Sequence, residues 1–333
     1  MDFTKIGVVG GGAWGTALAQ TLAQSGMDVR LWAYEADTVR EINDHHTNAI
    51  FLPGVTLDER LVATGSLAEI CTSKLILLVP PAQHLRRIGE QMAKHTAPGT
   101  PVMICAKGIE QTTGLLLGDV LEEVLPQAST GAISGPSFAA EVARGLPAAL
   151  TVACADEKLG ERVAQSIGSR HLRAYWTDDL IGVQLGGAIK NVLAIAAGIV
   201  DGRKLGASAH AALVTRGFAE MRRFAGALGA RPETLTGLSG LGDLLLTCGS
   251  PQSRNMSLGR ALGEGRSLAE ILGQRRAVTE GVYTARAVVR IAGERGIDVP
   301  ISSAVQKIVD EDLSVDDALK SLMSRPLRAE IEM

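Results

Sequence analysis

Lys190 lies in Val183–Ala194, a segment with no other charged residue. A primary amine among apolar neighbours has its charged form disfavoured, which brings its pKa toward the range useful for proton transfer. The same residue could snorkel, keeping its head in water. On a helix, Gly186 and Gly187 fall on the face of Lys190 and leave a groove for either another helix or a ligand. Two adjacent helical glycines cost about 1 kcal/mol each relative to alanine, so something is expected to approach closely there. A second amine, Lys107, ends the run Val102–Ala106 and is placed to meet an anion or substrate oxygen, or to be an ordinary surface lysine. Ser134-Gly135-Pro136-Ser137 ends another apolar run; Gly135 permits close backbone approach and Ser137 offers a hydroxyl. Further on, Ser253-Arg254-Asn255 combines a hydroxyl, a guanidinium fork and an amide before a helical segment. That combination grips a phosphate or, more plainly, caps the helix. Asp243 could accept from substrate hydroxyls or cap Leu244–Leu246.

Gly10-Gly11-Gly12-Ala13-Trp14-Gly15 fits G-x-G-x-x-G directly after an apolar run and opens a helical segment. Gly10 permits the tight turn, Gly12 lets the backbone approach a diphosphate, and Gly15 allows close helix–strand packing. Glu35 lies 35 − 15 = 20 residues beyond the last glycine, where an acid can bind adenosine ribose hydroxyls; it reads equally as a solvated loop carboxylate. Tyr34 could stack on adenine or cover the sheet edge.

The elements that must position these residues change texture along the chain. Short β-rich runs (Ile6–Val9, Val29–Tyr34, Leu61–Ala63, Leu75–Val79, Val102–Ala106, Ala132–Ser134, Leu150–Ala153) alternate with helical stretches such as Gly15–Ser25 and Ala82–Lys94. Leu75–Val79 is apolar throughout, as a strand covered on both faces should be. After about Thr177, helical spacing takes over in Asp178–Val200, Ala207–Leu228, Ser257–Glu264 and Thr279–Arg295. The expected fold is α/β: an N-terminal doubly wound, Rossmann-type parallel sheet followed by an all-helical C-terminal domain. The expected division is a dinucleotide-binding domain over 1–177 and a helical substrate and catalytic domain over 178–333.

The 333 residues carry 33 basic and 36 acidic side chains, a formal charge of −3, so an anionic ligand must be held by a local cluster. Aromatic residues make up 3%, too few for a base-stacking surface, so no nucleic-acid partner is expected. The four cysteines form no C-x-x-C pair, and the six histidines show no ligand spacing; neither zinc nor any other metal is expected. No secretory leader is legible and no apolar run approaches the ~20 residues of a membrane span. These readings point to a cytoplasmic protein without membrane insertion, with a homodimer as the expected assembly.

GGGAWGTALA, HTNAIFLPG, AKGIE, SGPSFAAEVARGLP, GGAIKNVLAIAAGIVDG, GLSGLGDLLLTC, SPQSRN and VTEGV together resemble, nearly end to end, the soluble bacterial NAD(P)-dependent glycerol-3-phosphate dehydrogenase family. The resemblance implies interconversion of dihydroxyacetone phosphate and sn-glycerol 3-phosphate with NAD or NADP, supplying phospholipid synthesis. It implies Lys190 as the proton-transfer residue. It implies Lys107, Gly135, Ser137, Lys190, Asp243, Ser253, Arg254 and Asn255 around the substrate, a phosphorylated triose. Trp14, Tyr34, Lys107, Ala139, Arg254, Val278 and Glu280 would line the cofactor site with Gly10, Gly12 and Gly15. Many bacterial members carry a basic residue near position 34; Tyr34-Glu35 stands here instead, so a preference for NADP does not carry over. The alternatives are another two-domain dehydrogenase, such as a ketopantoate reductase or β-hydroxyacid dehydrogenase, and a cofactor-binding regulator without catalysis.

Overall fold

The computed structural model describes residues 3–273, 279–310, 313–327 and 329–330. Eight strands form one sheet: β1 (Lys5–Val9), β2 (Asp28–Trp32), β3 (Val62–Thr64), β4 (Leu75–Leu78), β5 (Pro101–Ile104), β6 (Ser129–Ser134), β7 (Ala148–Cys154) and β8 (Leu172–Thr177). Their order is β3-β2-β1-β4-β5-β6-β7-β8, with β6 and β7 antiparallel and the other neighbours parallel. The chain reverses its direction of winding between β1 and β4, and open α/β sheets bind ligands in the crevice outside such a switch point. Gly10 and Val79 meet there: a Cβ on Gly10 would lie 2.9 Å from the Val79 carbonyl. All four residues of β4 are buried, as its unbroken apolar run predicts.

Several element ends differ from the sequence reading. Ala82–Lys94 divides into a 3-10 turn, Ala82–His84, and a helix, Leu85–Met92. The helix expected from Ser257 begins at Arg254, because Ser253 Oγ accepts the Met256 N–H at 3.2 Å and starts it a turn earlier.

Beyond β8 the described residues contain helices and turns only. The central element is the helix Leu180–Gly202, started by Asp179, whose side chain accepts the Gly182 N–H at 2.8 Å. Every residue from Leu185 to Val200 is buried. Contrary to the expectation that no run approaches membrane length, this helix is long and apolar enough by composition, with mean hydropathy 1.6 over its best window. Lys190 and Asn191 interrupt the run as text, yet its average stays high because the residues around them are almost all apolar. Ninety-four per cent of that window is buried against the rest of the protein, so it is a core helix.

Glycine sets how closely its neighbour docks. A Cβ on Gly198 would lie 2.0 Å from the Met256 carbonyl oxygen, and one on Gly259 1.9 Å from that of Ile195. Gly202 and Gly263 repeat the close approach one turn on. The two backbones therefore touch, and Arg254 and Asn255 at the start of the second helix are brought beside the first. Gly198→Ala should destabilise despite a helix-propensity gain of about 1 kcal/mol, because overpacking against backbone costs about 1–3 kcal/mol. Gly226→Ala, on the surface of the Ala207–Ala227 helix with open space around it, should instead stabilise by up to about 1 kcal/mol. Denaturant unfolding of the two variants checks the opposite signs.

Candidate active site

A shared carboxylate organises the site. Lys190 Nζ donates to Asp243 Oδ1 and, at 2.9 Å, to Thr247 Oγ1. Lys107, two residues beyond Cys105 at the carboxyl end of β5, donates at 2.7 Å to Asp243 Oδ2 and at 3.1 Å to the Gly135 carbonyl. Asp243 opens the helix Asp243–Cys248, which places Thr247 one turn on and on the same face. The Asp243 side chain is 1% exposed and that of Lys190 9%. Two ammonium groups around one carboxylate leave one positive charge in excess, a setting for an anion or a developing alkoxide.

Burial pulls Lys190 down to about 7; the Asp243 charge opposes that shift and the Lys107 charge adds to it. Neighbouring Cys248 is pushed up to about 12 by burial, so its thiol holds its proton and is no nucleophile.

Asp243 does not cap its own helix through its side chain: Oδ1 accepts from Lys190 and Oδ2 from Lys107. The groove beside Gly186 and Gly187 is filled by protein. A Cβ on Gly186 would meet the Ser239 carbonyl oxygen at 2.6 Å, and one on Gly187 Ser134 Oγ at 2.7 Å. These glycines admit the π-helical turn Leu238–Gly242 and the end of β6, which is how Asp243 and Lys107 reach Lys190. Gly135, at φ +145°, packs against the β7 backbone while its carbonyl holds Lys107, and Ser137 Oγ donates to that carbonyl at 3.1 Å. Ser253 is a helix cap.

Asn191 and Asn255 connect this cluster to the Glu280–Arg295 helix. Asn191 Nδ2 donates to the Lys107 carbonyl at 3.4 Å, Asn255 Nδ2 donates to Asn191 Oδ1 at 2.9 Å, and Asn255 Oδ1 accepts the Gly281 N–H at 3.0 Å. The Asn255 amide is thus a strut between helices. Glu280 Oε1 accepts the Ala82 N–H at 3.0 Å, just beyond β4. Burial raises Glu280, against the pull of that N–H and of the Arg254 charge. Arg254 itself is exposed at the helix start. Val278 lies outside the described residues.

Close approaches and short chain segments join the glycine turn to the amine: Gly10 meets Val79, Ala82 three residues on donates to Glu280, Gly108 lies beside both, and its neighbour Lys107 bonds Asp243, which bonds Lys190. The Ala13–Gln24 helix starts with no side-chain cap. A Cβ on Gly15 would strike the Gly10 carbonyl oxygen at 1.9 Å, whereas Gly12 faces open space. That is the geometry a diphosphate needs: a tight turn, bare N–H groups and room for approach. Trp14 Nε1, Ser134 Oγ and Glu280 Oε2 are buried without hydrogen-bond partners, and buried polar groups are normally satisfied, so they fit a polar ligand. Ala139, half-buried, starts the helix Ala139–Ala143, which packs on the glycine-turn helix. Tyr34 and Glu35, just beyond the end of β2, are exposed.

Two contributors were not singled out from sequence. Thr247 was legible only through its i, i+4 spacing from Asp243. Asn48 is buried and donates to the Gly11 carbonyl at 2.9 Å and to Thr16 Oγ1 at 2.8 Å, buttressing the glycine turn; nothing local in HTNAIFLPG announces that long-range contact.

A doubly wound dinucleotide-type sheet, a helical half and a buried lysine–carboxylate cluster at their junction define a two-domain nicotinamide-dependent dehydrogenase. Residues 5–160 match the family described as NAD-dependent glycerol-3-phosphate dehydrogenase N-terminus, and residues 179–320 its C-terminus. The chain belongs to the NAD-dependent glycerol-3-phosphate dehydrogenase family. It is 57% identical to glycerol-3-phosphate dehydrogenase [NAD(P)+] of Parvibaculum lavamentivorans over 99% of both chains. It is 53% identical to that of Caulobacter vibrioides over 99% of this chain and all of the other. The crystal structure of glycerol-3-phosphate dehydrogenase from Coxiella burnetii superposes with a TM-score of 0.93 at 39% identity, covering 98% of this chain and 100% of that one. A ketopantoate reductase from Ralstonia eutropha shares the fold alone, at TM-score 0.61 and 19% identity over 92% of this chain and 98% of its own.

Asp243→Asn removes the only carboxylate bonded to the two ammonium groups among the described residues. Breaking a buried ion pair from one side costs about 3–5 kcal/mol. Denaturant unfolding near neutral pH should show a loss of that order, along with loss of turnover.

Proposed function

We propose that this chain interconverts dihydroxyacetone phosphate and sn-glycerol 3-phosphate with NAD(P)H, with Lys190 as the proton-transfer group. The observation that carries the reading is the buried Lys190–Asp243–Lys107 cluster beside the end of β5, on the same edge of the sheet as the glycine turn. Its excess positive charge, with Arg254 at a helix start nearby, suits a small substrate bearing a phosphate dianion. A carboxylate substrate, as for ketopantoate reductases, does not require that second cationic grip.

Gly10, Gly12, Gly15, Trp14 and Glu280 would hold the dinucleotide, and the reduced nicotinamide when bound supplies a hydride to C2 of the triose. As C2 is reduced, its oxygen gains alkoxide character. Lys190 Nζ, charged and hydrogen-bonded to Asp243 and Thr247, stabilises that oxygen and donates a proton to it. In the oxidative direction the neutral amine takes the proton from the C2 hydroxyl. Asp243 aims the amine and keeps enough of it charged near neutrality; Lys107 adds positive potential. Arg254 and the helix start fix the phosphate, so binding energy remote from C2 orients the reacting carbonyl.

We assign dinucleotide binding to residues 1–177 and the helical substrate and catalytic half to 178–333, since β8 ends at Thr177 and the core helix begins at Leu180. The four cysteines are all free and buried, which suits a reducing cytoplasm, where supply of glycerol 3-phosphate to phospholipid synthesis is the proposed role. The homodimer expectation is read by sedimentation.

Lys190→Ala should lower turnover by about 100-fold or more while dinucleotide affinity changes little, by steady-state rates and equilibrium titration. Reduction needs the ammonium form, so its kcat should fall as pH rises through about 7, and oxidation, which needs the free amine, should rise over the same interval. Turnover of ketopantoate but not of the triose phosphate would overturn the substrate assignment. Dinucleotide binding without turnover of any ketone would make the protein a regulator.

A further inference from the structure

The dinucleotide reading leaves open how a chain with Tyr34-Glu35 at the end of β2 accepts the extra phosphate of NADP. We infer that Arg87, on the Leu85–Met92 helix that follows β4, supplies the cation for the adenosine 2′-phosphate. The inference rests on the proposed dinucleotide site and names its phosphate-selecting residue.

The adjacent arginines of this helix have different fates. Arg86 is bound by two carboxylates, with Nε 2.9 Å from Glu110 and Nη2 2.8 Å from Glu123. Arg87 has no ion pair among the described residues; its guanidinium lies 5.9 Å from the centroid of the Tyr34 ring. Tyr34 is 72% exposed and stands edge-on to Trp32, the last residue of β2, so the indole, the phenol ring and the guanidinium lie side by side at the strand end. A guanidinium on a ring face keeps its in-plane N–H donors directed outward, the arrangement that meets a phosphate bidentately. These three side chains line an open cleft of about 830 Å³ between the turn after β3 and this helix, whose wall also carries Ser66, Lys94 and His95. Glu90 is the acid in that wall, so Arg87 and Lys94 leave it with net positive charge.

Position explains the choice of site. In doubly wound folds the residue ending the second strand faces the adenosine ribose. Here that place is Glu35, exposed and without a basic neighbour in sequence, which repels a 2′-phosphate. The compensating cation arrives from across the switch point, on the helix after β4, so a reading confined to the end of β2 misses it. Glu35 serves the ribose hydroxyls of NAD and Arg87 the phosphate of NADP, which accounts for use of both cofactors by one site.

The test measures binding of adenosine 2′,5′-bisphosphate and of 5′-AMP by calorimetry to the full-length protein, wild type, Arg87→Ala and Arg87→Lys. Arg87→Ala should lower the preference for the bisphosphate over AMP by about tenfold or more, the worth of one charge-assisted contact, and Arg87→Lys should restore part of it. The ratio of kcat/KM for NADPH to that for NADH should fall in parallel, through KM. An unchanged preference, or equal losses for both nucleotides, overturns the inference even if triose phosphate is still reduced. An Arg87-dependent preference in a protein that reduces no triose phosphate upholds it while the reaction assignment fails.

Discussion

An ammonium held out of water against one carboxylate is the constraint from which the rest of this structure follows. Desolvation alone would strip Lys190 of its proton near neutrality and make it useless as an acid; full pairing with Asp243 alone would fix the proton too tightly to give away. The second ammonium, Lys107, competes for the same carboxylate, and burial and competition together bring Lys190 down to about 7. Such a balance exists only where Asp243, Lys107 and Lys190 meet, and they come from three separate elements: a short helix, the end of β5 and the middle of the core helix. The fold has to bring the three together within hydrogen-bonding distance.

Glycine does this. Gly186 and Gly187 let the turn before Asp243 and the end of β6 press against the core helix, and the Gly198–Gly259 contact brings the helix bearing Arg254 and Asn255 alongside. Gly186, Gly198 and Gly259 each replace a side chain by a backbone–backbone approach, and Gly187 admits the Ser134 and Lys107 side chains, so these glycines are a packing requirement of the site. The Asn191–Asn255–Gly281 hydrogen bonds then tie the lysine cluster to the helix whose Glu280 reaches the end of β4. The proposed proton-transfer group, phosphate grip and dinucleotide crevice would thus share one framework of buried polar contacts, which low local dielectric strengthens.

Much of this was legible in the sequence because it is local. The unbroken apolar run of β4, the glycine turn after β1 and the uncharged surroundings of Lys190 each carry their meaning within a dozen residues. What was missed is either marginal in pattern or long-range. β8, Leu172–Thr177, is an edge strand with only Leu172 buried, so it lacked the apolar signature that marked the other strands. The helix Ala36–His45 buries only Thr38 and Ile42, too thin a stripe to announce itself. The role of Asp243 could not be read from its neighbours, because its partners lie 53 and 136 residues away. Likewise the glycines beside Lys190 signalled a close approach correctly, while the identity of what approaches was written elsewhere in the chain.

The most direct test of the central claim is titration of the amine itself. Protein labelled with 13C at lysine Cε, compared with the Lys190→Ala variant to assign the signal, should show one resonance titrating near 7, far below the ordinary lysine value of about 10.4. A Lys190 signal that titrates with the exposed lysines would contradict the account, since the amine would then be neither desolvated nor poised to exchange a proton at neutral pH.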